Sequence, residues 1–374
     1  MEEQQGSFSR DTKGQDIGGM LTGATGAVAD LVGESTLPAP IRKNMFKAFD
    51  RLCSAVMGIP VAYLEGVALE RQAEAQARAM LIRASADQIA SDMNLSAEYA
   101  QIAGRKYGNK ILREQVNLDK ISEVAAQQLR EDIVEQPQLN SSTAQPEEVE
   151  NAASIDEDWL NTFESEAREK SSEEMQILFG RILASEIQKP TSFSTKTLRT
   201  VSQLDSRVAN LFRRLCSLCI TLRGLDLIID QRVPAVIGNA SLNSLNEYGL
   251  GYGDLNLLQE HGLIVADYNS YFEYQACICE EVETGAPPFI YQGKMYFLKA
   301  SPERPQNQDL RVHGVAFSQT GRELSSIVDI EPLETYTTGL QSYFAQRRLT
   351  MVELSLEGIS PENREMIRTN FRLL

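Results

Sequence analysis

The sequence predicts a mainly α-helical protein with a C-terminal α+β region, in which helical N-terminal and middle units precede a winged-helix-like module near residues 241–300. Three observations support this prediction. Apolar residues recur at helical spacing through most of the chain up to residue 230. Short apolar runs bounded by Gly, Pro and Asn, which are typical of strands, are concentrated in the last third. Residues 131–167 contain no Lys or Arg and separate two helical stretches.

These patterns divide the chain into five segments. Residues 1–37 are predicted to be loosely ordered, since their Gly-rich stretch disfavours a helix. A helical domain is expected at 38–130 and a helical middle domain at 156–235. The residues 131–155 between them are acidic and contain two prolines, which predicts a solvated linker. An α+β domain with a winged-helix-like start is expected at 236–374.

The first helix is predicted to begin at Pro38, because proline fits the first helical turn. An apolar stripe then recurs at spacings of four and three, and basic residues flank it. In a chain with a formal net charge of −16, this local positive charge is typical of a membrane-surface or partner-binding helix. The alternative is a core-packing helix with a solvated basic face. The candidate surface consists of Ile41, Arg42, Lys43, Met45, Phe46, Lys47, Phe49 and Arg51.

Three further helices are predicted in the N-terminal domain. Val61–Met93 is dense in Ala, Glu, Arg and Gln, which are strong helix formers. Its alanines allow close helix approach, so it suits either intrachain packing or self-association. Asn94 and Ser96 then predict a break and a new N-cap, followed by the helices Ala97–Gln115 and Leu118–Leu129.

In the second half of the chain, Asp205–Asp230 is predicted to be one apolar helix. A short helix, Asp254–His261, precedes the predicted strands Tyr271–Cys279 and Phe289–Lys299, and this order is similar to the end of a helix-turn-helix followed by a wing. The short helix carries no Lys or Arg, which a DNA reader needs for phosphates and base edges. Nucleic acid is therefore not the expected partner.

No catalytic, cofactor or metal site is predicted, because the chain lacks a P-loop, a GxGxxG and an HExxH motif. The two histidines, His261 and His313, are expected to be structural. Four thiols form two close pairs that could hold zinc, but buried free cysteine is the simpler interpretation. The pairs are Cys216 with Cys219 and Cys277 with Cys279.

The polar N-terminus, with no apolar signal-like region, predicts a cytoplasmic protein, and peripheral attachment to the inner membrane is the alternative. The longest uncharged stretches, Ile17–Ala29 and Leu52–Leu64, fall short of the roughly 20 residues that a membrane-spanning helix needs. No transmembrane helix is expected.

The middle of the chain carries a resemblance. The stretch MQILFGRILASEI begins at Met175. It is followed by KPTSFS at 189–194 and by TL at 197–198. With Ile59-Pro60 upstream and FSQTGREL at 317–324, this pattern resembles a bacterial family of unknown function, number 2806. The likeness covers most of residues 37–345. It implies a bacterial origin and a similar domain layout, and the family supplies no activity to carry over.

The function predicted from these features is that of a non-enzymatic bacterial binding or regulatory protein that acts through protein–protein contacts or self-association, without a cofactor. One alternative is a host-defence effector of the abortive-infection type that engages the inner membrane through the basic helix. The other is a DNA-binding winged-helix regulator.

Overall fold

The computed structural model describes residues 37–53, 97–135, 153–224, 227–279, 287–305 and 308–354. The chain divides into two compact units, Met1–Pro190 and Thr191–Leu374. The predicted Ala-rich helix Val61–Met93 lies outside the described residues. So do most of the predicted linker and all but Leu37 of the predicted N-terminal segment.

The described residues of the first unit form four helices. They are α1 (Ala39–Leu52), α2 (Ala97–Glu135), α3 (Glu157–Ala167) and α4 (Glu173–Gln188). α2 is continuous through residues 116–117, where the sequence predicted the end of one helix and the start of another. Asn117 stays helical there because its side chain donates to the Arg168 carbonyl (2.9 Å) and accepts from Gln176 (3.2 Å).

Close packing of α2 against α4 forms the centre of the first unit. A Cβ atom at Gly180 would lie 2.5 Å from Cγ1 of Val124, so a glycine is what lets the two helices approach. Beside this contact, the rings of Trp159 and Phe163 stack with centroids 5.2 Å apart, and Phe163 meets Phe179 edge-on at 5.6 Å. These buried apolar faces account for the amphipathic spacing seen in the sequence.

Buried Asn44 connects segments that lie far apart in the chain. Its amide donates to the carbonyls of Ala153 (3.2 Å) and Ile187 (3.4 Å), and its oxygen accepts from the N–H of Ile155 (3.3 Å). The helices on either side of the acidic segment therefore pack in one unit, whereas the sequence assigned them to separate domains, 38–130 and 156–235.

The second unit begins with α5 (Thr195–Ser202) and α6 (Ser206–Leu218). Its other described helices are α7 (Tyr252–Glu260), α8 (Gln319–Ser325) and α9 (Glu334–Ala345). The described strands number eight: β1 (Ile220–Gly224), β2 (Leu227–Pro234), β3 (Tyr271–Glu273), β4 (Ile278–Cys279), β5 (Phe289–Tyr291), β6 (Lys294–Ala300), β7 (Arg311–Ala316) and β8 (Leu349–Glu353).

The eight described strands form one curled, mainly antiparallel sheet. β7 lies between β3 and β2, and β2 continues to β1, β5 and β6. β8 pairs with β6 antiparallel, and β4 adds a short parallel pairing to β6. Aromatic rings fill the core, where Phe289 has Tyr274, Tyr296 and Phe344 within 5.9–6.3 Å of its centroid.

The predicted winged-helix-like module near 241–300 is wrong. β3 pairs with β7, and β5 pairs with β1, so these strands belong to the large sheet and do not form a separate wing. The prediction failed because it rested on local order, a short helix followed by strands. The partners of those strands lie before residue 225 and after residue 310, which local order does not reveal.

The predicted helix over Asp205–Asp230 is also wrong in its second half. α6 ends at Leu218, and Cys219 adopts an extended conformation. Ile220 then pairs with Arg232 of β2 on one side and with Tyr291 of β5 on the other. Pairing on both edges overrides the helical spacing, since a short apolar run fits a buried strand as well as a buried helix.

Within the predicted strand Phe289–Lys299, the pair Gln292-Gly293 is a turn signal in the sequence, and the structure has a hairpin turn there. The two residues have φ values of 49° and 75° and join β5 to β6, which pair antiparallel. Positive φ at both central positions is the geometry of a tight two-residue hairpin, and it favours glycine.

Candidate functional site

Two sequence motifs of the second unit meet at one carboxylate. Oε2 of Glu323 accepts from the backbone N–H of Ser194 (2.8 Å), from the Ser194 hydroxyl (3.1 Å) and from the Thr197 hydroxyl (2.5 Å). Ser194 is itself the N-cap of α5 and accepts from the Thr197 N–H. This arrangement stabilises the beginning of α5, because an N-cap and a negative charge both favour a helix N-terminus.

The basic side of α1 binds carboxylates of α3. Nζ of Lys47 lies 2.7 Å from Oε1 of Glu157, and Arg51 contacts Glu157 at 3.1 Å and Glu164 at 3.0 Å. Lys47 also donates to the Ile155 carbonyl at 2.6 Å. The hydrogen bond from Lys47 holds the pKa of Glu157 below its ordinary value. These two cations of the predicted surface are therefore engaged within the first unit.

The remaining residues of the predicted α1 surface differ in how far their side chains are exposed to solvent. Met45 and Phe49 are buried, while Ile41 and Phe46 are half-buried. Arg42 and Lys43 are exposed, and neither has a carboxylate partner among the residues that the structure describes. That this face of α1 binds a membrane or a partner stays a prediction. Its exposed cations, Arg42 and Lys43, lie at the beginning of α1.

The N-terminal half of α2 exposes large apolar side chains. Tyr107 is 65% exposed and Ile111 is 48% exposed. Tyr99 and Ile102 are also exposed. Four large apolar groups on one stretch of helix are more than the scattered single exposures that a protein surface ordinarily shows.

Two of these side chains, Tyr107 and Ile111, extend the stripe that packs α2 into the first unit. Ile111, Leu118 and Ala125 follow one another at intervals of about two helical turns, so they share one face. Leu118 and Ala125 are buried, yet Ile111 and Tyr107 on the same side are exposed. α4 contacts α2 at Asn117 and at Val124, and Tyr107 and Ile111 lie N-terminal to both positions. The apolar face is thus buried in the C-terminal half of α2 and exposed in its N-terminal half.

Positive charge accompanies this exposed stripe. Lys106, Lys110 and Arg113 are exposed on the same half of α2. Only Lys110 has a carboxylate partner among the described residues, Glu114 at 3.4 Å. We refer to Tyr99, Ile102, Lys106, Tyr107, Lys110, Ile111 and Arg113 as the α2 surface. This surface was not predicted from the sequence, although the apolar repeat through Ile111, Leu118 and Ala125 is present there.

A buried ion pair inside the sheet was also overlooked. Arg232 donates to both oxygens of Asp230, at 2.6 and 2.8 Å, and Tyr274 donates to the same carboxylate at 2.9 Å. Arg232 further donates to the carbonyls of Ser270 and Val312. Burial and Asp230 raise the pKa of Tyr274 well above its ordinary value, so its hydroxyl stays a donor. Because its polar groups bind one another and nearby carbonyls, the cluster stabilises the sheet.

Four of the five cysteines are buried, and both histidines are half-buried. Burial raises the pKa of Cys219 to about 11 and that of Cys277 to about 12. Within the described parts of the chain, no three His, Cys, Asp or Glu side chains are grouped to hold a metal ion. Nδ1 of His313 lies 3.1 Å from the Asn269 carbonyl, and its ring packs on Tyr271. His261 is the C-cap of α7.

No helix within the described ranges is both long enough and apolar enough to cross a membrane.

A family model described as "Protein of unknown function (DUF2806)" matches residues 103–341. No curated protein and no solved structure matches the chain. The matched region includes α4, the capping residues Ser194 and Thr197, and Glu323 that binds them. The resemblance inferred from those motifs is confirmed, and the chain belongs to the DUF2806 family.

Proposed function

We propose that this chain is a non-enzymatic binding protein that acts through protein–protein contacts, and that the α2 surface is its contact site. The observation that carries the proposal is the apolar stripe of α2, which is buried at Leu118 and exposed at Tyr107 and Ile111. A surface that continues an established helix–helix contact is preformed for another helix.

The charge of the α2 surface favours an acidic partner. Lys106, Lys110 and Arg113 flank the exposed apolar groups. A partner with apolar residues in the centre of its contact face and carboxylates at the rim complements this arrangement, and opposite charge also accelerates association. A second copy of the chain, with its net charge of −16, is one source of such carboxylates.

The test compares two double variants of the tagged full-length chain expressed in its native cells. Tyr107→Ser/Ile111→Ser removes apolar contact at exposed positions, so the fold is expected to survive. Gln127→Ser/Glu131→Ser alters exposed positions farther along the same helix. The proposal predicts that one co-purifying protein, or a second copy, is recovered at least fivefold less with the first variant alone. Equal recovery with both variants contradicts it.

A second candidate function, association with an anionic membrane surface, is supported by the exposed cations Arg42 and Lys43. Co-sedimentation with anionic and neutral vesicles tests it. Salt-sensitive binding to anionic vesicles that Arg42→Glu/Lys43→Glu abolishes supports this function, since basic residues near a surface contribute about 1 kcal/mol each. Absence of binding at low salt contradicts it.

A further inference from the structure

Two turns of the second unit are held side by side at one end of the sheet. Ala300 of β6 pairs with Leu349 of β8, and just beyond this pair the Ser301 N–H donates to the Arg348 carbonyl at 2.9 Å. The turn after β6 therefore lies against the turn between α9 and β8. Each turn contributes arginine side chains to this junction.

Three arginines contribute contacts to this junction. Arg304 is buried and donates to the carbonyls of Arg347 (2.6 Å) and Gln308 (2.7 Å). Arg348 donates to the carbonyl of Glu303. The guanidinium of Arg347 lies 3.6 Å from the centroid of the Tyr343 ring, and the same side chain donates to the Tyr343 carbonyl at 2.8 Å. Every protein acceptor in these contacts is a neutral carbonyl or a ring face.

The cluster lacks a counter-charge within the part of the chain that the structure describes, where none of the three arginines forms an ion pair with a carboxylate. In contrast, Arg51 and Arg232 both bind carboxylates. Like charges in close proximity repel. Burial and the neighbouring Arg347 accordingly lower the pKa of Arg304.

The backbone of the junction is strained as well. Arg348 has a φ of 59°, in the left-handed region that favours glycine and asparagine. A left-handed non-glycine residue is found in tight turns and at helix ends, and also at ligand sites, where surrounding contacts hold it in place. Here the Ser301 N–H to Arg348 carbonyl bond holds the strained residue beside the cluster.

We propose that Arg304, Arg347 and Arg348 form a binding site for a phosphate group. Each guanidinium presents five N–H donors in a planar fork, and the carbonyl contacts above use only a few of them. A phosphate offers several oxygens to such forks, and hydrogen bonds between ionised groups are roughly twice as strong as neutral ones. An anion at this junction also reduces the repulsion between Arg304 and Arg347. The site lies in the second unit and is independent of the α2 surface.

Phosphate groups reach a protein as free anions or as part of nucleotides, so the experiment uses both sources. Isothermal titration calorimetry of the full chain, in low-salt buffer free of phosphate, compares pyrophosphate with adenosine and uridine diphosphates. Saturable binding that weakens with added salt is expected. Tighter binding of the nucleoside diphosphates assigns the site to nucleotides, while equal or weaker binding assigns it to the free anion.

The variant Arg347→Gln/Arg348→Asn removes two cations from the surface while asparagine tolerates the left-handed backbone. It is expected to bind at least tenfold more weakly, because two of the three charged donor groups are lost and hydrogen bonds between ionised groups are the strong ones. The matched control Lys196→Gln/Arg199→Gln removes the same charge from exposed positions on α5 and should stay within twofold of the wild type. If the double variant fails to fold, Arg348→Asn alone serves with the expectation of at least threefold weakening.

Two results overturn the proposal. One is the absence of pyrophosphate and nucleotide binding by the wild-type chain at millimolar concentration. The other is equal affinity of the wild type and the Arg348 variants, which places any bound anion elsewhere.

Discussion

Thr197 donates its hydroxyl to Glu323 over 2.5 Å, although 126 positions separate the two residues in the sequence. The same carboxylate oxygen accepts twice from Ser194. These hydrogen bonds connect α8 to the N-terminus of α5. The two stretches that carried the family resemblance therefore form one capping structure.

Replacing Glu323 should loosen the beginning of α5. In Glu323→Ala the three donors from Ser194 and Thr197 lose their acceptor, which is expected to cost about 1–2 kcal/mol of local stability. Hydrogen exchange measured by mass spectrometry over residues 195–202 should accelerate about tenfold. Gln319→Ala is the matched control, since Gln319 contacts only the other carboxylate oxygen at an exposed position. Equal exchange in both variants would show that the cap contributes nothing.

The buried pair of Asp230 and Arg232 gives a second prediction. Arg232→Met leaves an uncompensated carboxylate in the sheet, with an expected cost of about 3–5 kcal/mol in the free energy of unfolding. Asp230→Leu/Arg232→Met removes both charges and should cost less than the sum of the single changes. Urea denaturation followed by circular dichroism measures Asp230→Leu, Arg232→Met and the double variant. Additive costs would contradict a direct coupling between the two residues.

Gly321 gives a third prediction, based on packing. A Cβ atom at this position would lie 2.1 Å from the carbonyl oxygen of Leu263, so Gly321→Ala forces α8 away from that backbone. The expected cost is about 1–3 kcal/mol. Gly253→Ala is the control, because a Cβ at Gly253 meets no atom within 4 Å and alanine favours a helix. The thermal midpoint should fall for the first variant and stay or rise for the second.

The thiols give a fourth prediction. Burial raises the pKa of Cys53 and Cys219 to about 11 and that of Cys277 to about 12. At neutral pH these groups are protonated, and the thiol form is a poor nucleophile. N-ethylmaleimide should therefore modify them slowly in the native chain and rapidly in urea. Rapid labelling of Cys219 or Cys277 without denaturant would contradict the buried placement.

Acidification should weaken the first unit. The pKa of Glu157 is lowered in the folded state, mainly by Lys47. Its contribution to stability is therefore present above the ordinary carboxyl pKa of about 4.3 and is lost as pH falls through the lower folded value. Trp159, the single tryptophan of the chain, reports on this unit. Its fluorescence midpoint in urea should fall between pH 5 and pH 3, and less so in Lys47→Met. An identical pH dependence in that variant would exclude the ion pair as the cause.

Sequence reasoning succeeded where one segment carries the whole signal. The α1 stripe and the Gln292-Gly293 turn are local patterns, and the structure contains both elements. It failed where distant segments decide the structure. Ile220 follows a helix and continues its apolar spacing, and only its pairing with β2 and β5 makes it a strand.

The candidate sites show the same difference between local patterns, which the sequence reveals, and contacts between distant segments, which it does not. The charges on α1 were visible in the sequence, but their carboxylate partner Glu157 lies more than 100 positions away. Asp230 and Arg232, two residues apart, face the same side only in a strand, and the sequence placed Asp230 in a helix. The apolar repeat of α2 is visible in the sequence, but the exposure of its N-terminal part is visible only in the structure.

The most direct test of the account is site-specific photo-crosslinking on α2 in native cells. A benzophenone amino acid replaces Tyr107 in one strain and exposed Gln127 in another, and mass spectrometry identifies the products. If the α2 surface is the contact site, position 107 forms a crosslink to one protein partner or to a second copy. Position 127 forms no crosslink to the same protein. A crosslink from position 107 to residues 61–93 of the same molecule, or no protein crosslink, would contradict it.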